Sequence, residues 1–464
     1  MKGIPMTSTS PHESAFDALA EVLDGALVRP GDETWDEARS AWNLSVDQQP
    51  AAVVTPTHLE DIGHILLAAH ATGLDVTVQP RGHGANGDLA GCVLLRTSAF
   101  DEVTVHVEER YARVGAGVRW GTLLPALEGT GLIALAGTNP DVSVTGYLLS
   151  GGHSWFSRWK GLAAHSIRAV ELVDAAGEFR RVTAESDPEL LWALRGGGGL
   201  FGVVTALEID LFEAPELFGG KILFPGVTAE AVFGAIDEIM ASAPDELTIF
   251  PGLINLPDAP FIPEPLRGQT LASADVVFVG SVEAGNALLA PMVGAVPPLA
   301  TMTRPFTIGQ LGEVSDEPQD PSGAIDWSAT VTDASGSVLA DIVAAFRAGS
   351  PAGLTLMNLR PLGGAIGRTD SDATGVVGHL DAAYLVFAAA IIMDPTRPLD
   401  IDALFGPLEQ AVEGRTMAVT VPTLLTNGQG LADAYGEADL TRLAEVKRRV
   451  DPHDIIRSNR ALPA

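Results

Sequence analysis

A lone histidine among very small residues opens the question of chemistry. In VQPRGHGANGD, residues 78–88, His83 lies between Gly82 and Gly84 and two positions after Arg81. No cysteine or acidic cluster accompanies it, so a shared metal is a poor reading. A neutral imidazole near neutral pH is instead a competent nucleophile or hydrogen-bond donor. The flanking glycines admit positive φ and leave N–H groups bare, so successive amides can cradle anionic oxygens. Further glycine-rich turns at 115–121, 146–152 and 196–202 fall at expected strand ends. Any one of them reads as a tight turn. Together with Arg81 and His83 they point to a large phosphate-bearing cofactor wrapped by backbone.

Other motifs fail. GGGLFG at 197–202 fits the dinucleotide pattern G-x-G-x-x-G, but an expected helix precedes it and a strand follows, the reverse of a dinucleotide fold. No nucleophile elbow, phosphate-binding P-loop or zinc-protease helix motif occurs. His58, His64 and His70 recur every six residues and scatter around a helix, so no metal ligand set is read from them. Cys92 is the only cysteine, which excludes an internal disulfide, and it reads as a small buried hydrophobe.

At 464 residues the chain exceeds the usual size of one core, so two domains are expected. A formal net charge of −31 repels phosphate backbones and anionic lipid, which argues against nucleic acid or a membrane surface as partner. No continuous apolar leader or bilayer-length run is visible, so a cytoplasmic location is expected. Basic charge is nearly all arginine, with lysine only at Lys2, Lys160, Lys221 and Lys447; with abundant Ala and Gly this suggests a GC-rich bacterial source.

The elements that must carry these loops follow from periodicity. Residues 15–45 read as a helical lead-in. The segment from Thr55 to Gly73 reads as a helix with a Thr57–Glu60 capping box and Gly73 at its end. DVTVQP, CVLLR, EVTVHV and YARVGAG read as short strands, and AVELVDAAGEFRRV as a hairpin turning at Gly177. WGTLLPALEGTG and DPELLWALR read as helices and FGVVTALEIDLF as a strand. Texture changes near 214 toward proline and long apolar runs, with strands expected in TIFPGLI, ADVVFVGS and AAYLVFAAAII and helices near 228–242 and 283–292. SDEPQDPSG, 315–323, reads as a surface loop. The expected organisation is an N-terminal domain over 1–212, a second α+β domain inserted over 213–418, and a return to the first over 419–464.

In order along the chain, four segments resemble the FAD-linked oxidases of the vanillyl-alcohol-oxidase (PCMH-type) fold, in particular the berberine-bridge-enzyme-like branch. VQPRGHGANGD resembles that family's R-x-G-H-x-x-x-G loop, with AWNLSVDQQPAAVVTP as its entry segment. AGTNPDVSVTGYLLSGGHSWFSRWKGLAAHSIRAVELVDAAGEF and DPELLWALRGGGGLFGVVT resemble its second and third FAD segments, and YGEADLTRLAEVKRRVDPHDIIRSN its C-terminal segment. The resemblance covers about residues 40–212 and 420–460. It implies an α+β fold: an FAD domain of two α+β subdomains with an inserted substrate domain built on a large antiparallel sheet.

The resemblance also implies roles. His83 falls on the residue that bonds covalently to the flavin 8α-methyl. The cysteine that makes a second link in many relatives is here Asn139, so a single bond is expected. Arg81, Gly82, His83, Gly84, Ala85, Asn86 and Gly87 would hold the pyrophosphate region. Gly137, Thr138, Val142, Gly146, Tyr147, Gly151 and Gly152 would line the dinucleotide, with Gly161, Leu162, Gly202 and Val204 beyond. Asn459 resembles the C-terminal asparagine near the ring, and Asn427–Gly428 stands where the family's Asn-Tyr pair is usual. With that tyrosine absent, the candidate bases are Tyr147, Tyr384 and Tyr435, beyond Tyr111, with His153 a further one, a phenol needing a nearby cation such as Arg360 or Arg368 to ionise. The implied activity is hydride transfer from a small alcohol, amine or sugar-like carbon to FAD, with dioxygen reoxidising it to give hydrogen peroxide, by a monomer or homodimer, with secondary metabolism as an analogy. A dehydrogenase with another acceptor, a monooxygenase-type tailoring enzyme and a catalytically silent FAD protein are the alternatives.

Overall fold

The computed structural model describes residues 11–463 except 261, 334–335, 369–374, 395, 397 and 427. Three sheets organise the chain. The first begins where apolar spacing makes the helix Leu59–Thr72 amphipathic: Ile62, Ile65, Leu66 and Ala69 are buried against the strands Ala52–Thr55, Asp75–Val78 and Cys92–Leu95. These three strands run parallel in the order 52–55, 92–95, 75–78, as a strand–helix–strand crossover requires. Gly73 ends the helix in the left-handed conformation, as expected. The cap lies one residue beyond the expected box: the buried carboxylate of Asp61 accepts from the N–H groups of Thr57 (2.8 Å) and His58 (3.2 Å). The expected continuous lead-in helix is interrupted. Helix Pro11–Ala20 gives way to strand Ala26–Val28 and a short helix Trp35–Arg39, because Gly25, Pro30 and Gly31 punctuate the segment.

The second sheet is antiparallel, in the order Val103–His106, Tyr111–Gly115, Val203–Asp210, Ile167–Val173, Phe179–Thr183. Its hairpin turns through Gly177 as the sequence indicates. The helices Trp120–Ala126, Val144–Leu149 and Pro188–Leu194 join one continuous apolar core with it, and Asp187 caps the last of these.

The third sheet is the inserted one. Strands Leu217–Pro225, Thr270–Val279, Leu247–Asn255, Leu356–Pro361, Tyr384–Ile391 and Ala324–Val331 lie in that spatial order, every pairing antiparallel, with two short strands on the outer edge. Four helices, Ala229–Met240, Val282–Ala295, Gly336–Gly349 and Ile401–Val412, share a core with one face. The expected helices near 228–242 and 283–292 correspond to the first two. The other two, and the strands Leu217–Pro225, Ala324–Val331 and Leu356–Pro361, were not read from the sequence. The opposite face meets the FAD-like half, and strand parity decides which residues reach it. In Tyr384–Ile391, Tyr384, Val386 and Ala388 join the helix-side core, whereas Leu385 and Phe387 join the other.

The C-terminal helix Glu437–Val450 brings the chain back, and strand Ile456–Arg457 pairs in parallel with Asp75–Val78. A buried ion pair locks the return. Lys447 Nζ donates to Asp451 (2.5 Å) and to the carbonyl of Ile456 (2.6 Å), while Asp451 accepts from the Ile455 and Ile456 amides (3.1 and 2.8 Å). Removing one partner would leave an uncompensated buried charge, at a cost of about 3–5 kcal/mol. Lys447→Met is therefore expected to lower unfolding free energy by about that amount, checked by denaturant titration; a loss under about 1 kcal/mol would show that the clamp is not structural.

Candidate functional site

The first glycine loop follows strand Asp75–Val78 and is held from below. Gln48 and Gln79 pair through their amides at 2.9 Å, and Gln48 Nε2 also donates to the Asn86 carbonyl at 2.7 Å. Gly82 has φ +90°, and a Cβ there would sit 2.8 Å from the Gln79 amide nitrogen, so the turn needs glycine. Ala85 plugs the loop into the core. Among the described residues, the N–H groups of His83, Gly84, Asn86 and Gly87 find no protein acceptor. Four unclaimed backbone donors in one short loop form a cradle suited to phosphate oxygens.

His83 is fixed from two sides. Its ring stacks on Trp42, with centroids 4.1 Å apart and planes 19° from parallel, and its Nε2 lies 3.3 Å from Asp141 Oδ2. Asp141 also accepts from Arg81 Nε (2.8 Å) and Nη2 (3.1 Å) and from Arg119 Nη1 (2.6 Å). Its side chain is 3% exposed. Burial alone would raise its pKa, but the hydrogen bonds from His83, Arg81 and Arg119 outweigh burial and hold the carboxyl well below the ordinary carboxylate range. With the carboxylate accepting at Nε2, the Nδ1 lone pair of the neutral ring is left free.

The second segment folds over this cluster. Asn139 Oδ1 accepts from the Asp141 amide (2.8 Å), and Ser143 caps helix Val144–Leu149 by accepting from Gly146 (3.3 Å). Thr138 and Asn139 are tied to the 315–323 loop through Ser315 Oγ (2.9 Å) and the Pro318 carbonyl (3.0 Å). That loop is exposed as expected, yet it is pinned to the first domain, also through Trp42 Nε1 on the Gln319 carbonyl at 3.0 Å. Gly152 has φ +67°, and a Cβ there would lie 2.5 Å from the Tyr147 ring; Gly137 flanks the same ring. Gly151 and Gly152 accept from Ala164 (2.8 Å) and Ala163 (2.9 Å) just past Gly161 and Leu162. The third segment joins through the Gly198 amide on the Leu149 carbonyl (2.9 Å), with Gly202 and Val204 buried at the second sheet. Val142 packs half-buried on the same core. Asn459 Nδ2 donates to the Gly84 carbonyl, so the C-terminal segment touches the first loop. Asn427 lies outside the described residues.

The proposed bases separate. Tyr147 and His153 lie together in the buried junction. The Tyr147 hydroxyl has no partner among the described residues; the His153 ring nitrogens make no hydrogen bond of good geometry there, although the Pro361 backbone lies close enough to oppose part of the shift. Burial raises the Tyr147 phenol well above its usual value despite the field of Arg360. Burial first, and Arg360 second, push His153 down to about 3. A neutral, unprotonated His153 and an un-ionised Tyr147 are therefore the resting forms. Tyr384 does not join them. Its hydroxyl donates to Asp237 at 3.2 Å on the helix side of the sheet, and burial raises it too. The residue type was legible in the sequence, but the strand parity was not. Arg368 pairs with Asp245 at 2.5 Å.

The sheet face toward the junction carries groups the sequence reading did not single out as site residues. Arg360 is 7% exposed. Asp275, opposite Phe250 in register, is paired with Lys221 at 2.9 Å and is raised to about 6 by burial, which Lys221 partly offsets. Asp326 is raised by burial, with Arg460 opposing, and among the described residues makes no ion pair. It shares a face with Ser328, whose hydroxyl donates to the Leu424 carbonyl at 2.7 Å. Only a strand assignment for 324–331 with its parity would have marked Asp326, and that strand was missed.

These features fit a flavin dinucleotide: free amides at His83, Gly84, Asn86 and Gly87, an oriented imidazole beside them, and unpartnered buried polar atoms at the junction. Comparison with known proteins agrees. Residues 50–183 match the model of the FAD binding domain. The chain is 30% identical over 262 residues to an FAD-dependent monooxygenase of Fusarium proliferatum, covering 54% of this chain and 49% of that one. It is 31% identical over 196 residues to (R)-6-hydroxynicotine oxidase of Paenarthrobacter nicotinovorans, covering 42% and 43%. These alignments thus span about half or less of each curated relative. In solved structures the similarity runs nearly end to end: berberine-bridge-enzyme-like 1 of Physcomitrella patens superposes with a TM-score of 0.81 at 19% identity, over 97% of this chain and 99% of that one. The protein is therefore an FAD-binding chain of the vanillyl-alcohol-oxidase, PCMH-type fold.

Proposed function

We propose that the protein is an FAD-dependent oxidase that takes a hydride from a small organic substrate at the junction of its two halves, with FAD joined once, to His83. The observation that carries the reading is the first loop: four free amides beside an imidazole fixed by Trp42 and Asp141. The flavin, when bound, supplies the two-electron redox chemistry; the chain supplies position, proton handling and exclusion of water. Arg81 is committed to Asp141, so the amides of residues 83–87, rather than the guanidinium, would meet the pyrophosphate. Asn139, in place of a cysteine, is committed to Asp141 and Pro318, which supports a single link.

Asp326 is the group we assign to take the substrate proton. It is a carboxylate free of ion pairs, on the sheet face toward the junction, with its pKa raised by burial. Tyr147 and Tyr384 are too strongly held in the neutral form for that role, and His153 stays unprotonated but is sealed in the core. A second reading rests on the similarity to an FAD-dependent monooxygenase. It places one oxygen atom in the product and leaves no stoichiometric peroxide.

Three measurements test this. On acid precipitation, visible flavin absorbance is expected to stay with the polypeptide, and His83→Ala to release it; colour that washes out of the wild type rejects the covalent link. Asp141→Asn removes the charge that orients His83, and the covalent share of flavin formed on mixing apoprotein with FAD is expected to drop at least tenfold, equivalent to about 1.4 kcal/mol. For Asp326 the sign is set by its raised pKa: the base form is present only above that pKa. With a turned-over substrate, kcat/KM is expected to rise with pH through an acid limb lying above the ordinary carboxylate range, with peroxide released one for one. Asp326→Asn should abolish that limb and cost about a hundredfold or more in rate; an unchanged profile assigns the base elsewhere.

A further inference from the structure

Arg360 is a buried cation at the junction whose charge the described residues leave unanswered. Its Nε donates to Asn358 Oδ1 at 3.2 Å, and that is its only hydrogen bond to the protein. Among the described residues it forms no ion pair within 4.0 Å. Glu317, on the pinned 315–323 loop, reaches it only as a longer-range field. Its guanidinium instead lies 5.5 Å from the Phe250 ring and 5.6 Å from the Phe387 ring. Phe250 is backed by Trp155, stacked at 4.2 Å. A buried guanidinium is expensive unless an anion meets it, and ring faces supply only part of the deficit. The chain as a whole carries −31, so this cation is an exception built into one place.

Position gives the exception meaning. Arg360 and Phe387 occupy adjacent strands of the large sheet, register-paired with Leu385 and Asn358 on the face toward the FAD half. The Tyr147 hydroxyl and the His153 ring lie near enough that their titrations both feel Arg360. The free Nη pair forms a planar fork that matches the two oxygens of a carboxylate. The walls are aromatic, and no second cation pairs with the site, which disfavours a phosphate dianion.

Resting on the flavoenzyme reading above, we infer that the substrate is a small aromatic carboxylate, with its carboxylate on Arg360 and its ring against Phe250 and Phe387. The flavin-loaded protein titrated with benzoate should show a saturable perturbation of the flavin spectrum. Benzamide, the same shape without charge, should bind at least tenfold more weakly. Arg360→Gln should weaken benzoate at least tenfold while flavin content is unchanged, and Arg360→Lys should retain most of the preference for benzoate over benzamide. Equal affinity for the two probes, no response to benzoate, or unchanged benzoate binding in Arg360→Gln overturns the assignment. Loss of flavin from both Arg360 variants also overturns it, because the guanidinium then belongs to the cofactor. If Arg360→Gln does not fold, the wild-type comparison and Arg360→Lys decide by the same tenfold criterion. A wild-type chain that holds no flavin refutes the preceding section instead, and calorimetric binding of benzoate against benzamide then decides the anion site by itself.

Discussion

The carboxylate of Asp141 is the point on which the site's geometry turns. It is almost wholly withdrawn from water, in a chain of strong negative charge, and it survives there because an imidazole and two guanidinium groups surround it. Those donors come from two places in the sequence, residues 81–83 and 119. Their shared acceptor therefore fastens the first glycine loop to the segment that follows it 60 residues later. A buried anion with too few donors would be strongly destabilising; with these four bonds it becomes a fixed reference for the His83 ring. Because its folded pKa is depressed, this stabilisation is complete above the ordinary carboxylate pKa and is lost as pH falls through the lower, folded value.

The large sheet supplies the opposite wall by a simpler rule. Alternate residues of each strand face opposite ways, so one strand serves two environments. Tyr384, Val386 and Ala388 pack on helices, while Leu385 and Phe387 face the flavin-binding half. The same alternation brings Arg360, Asp275 and Asp326 to the junction. Their titration is governed by burial, which raises the carboxyls and lowers the guanidinium. Charge at the junction is thus sparse and specific, against apolar surroundings that strengthen each interaction.

The cofactor half was legible because its signals are local. His83 between glycines, the hairpin at Gly177 and the helix that begins after Asp187 each follow from a few adjacent residues, whereas 146–152, read as a glycine turn, begins inside the helix Val144–Leu149. The helix Leu59–Thr72 was legible for the same reason, and its cap was misplaced by one residue because Thr57 and Glu60 imitate the pattern that Asp61 completes. The inserted half was less legible. Strand 356–361 lacks a clean alternation; strand 324–331 does alternate but stands in a proline- and glycine-rich stretch, and the pairing partners of both lie far away in sequence.

By itself, then, the sequence determined the order of the flavin-binding loops, the histidine at their centre and the large apolar insertion between them. Those depend on backbone freedom and local periodicity, which neighbouring residues carry. Only the tertiary structure decided that Asp141 orients His83, that Tyr384 turns away from the junction and that Arg360 enters it without a counter-ion. Each of these is a matter of long-range pairing, and shifting a strand by one residue would send every such side chain to the other face.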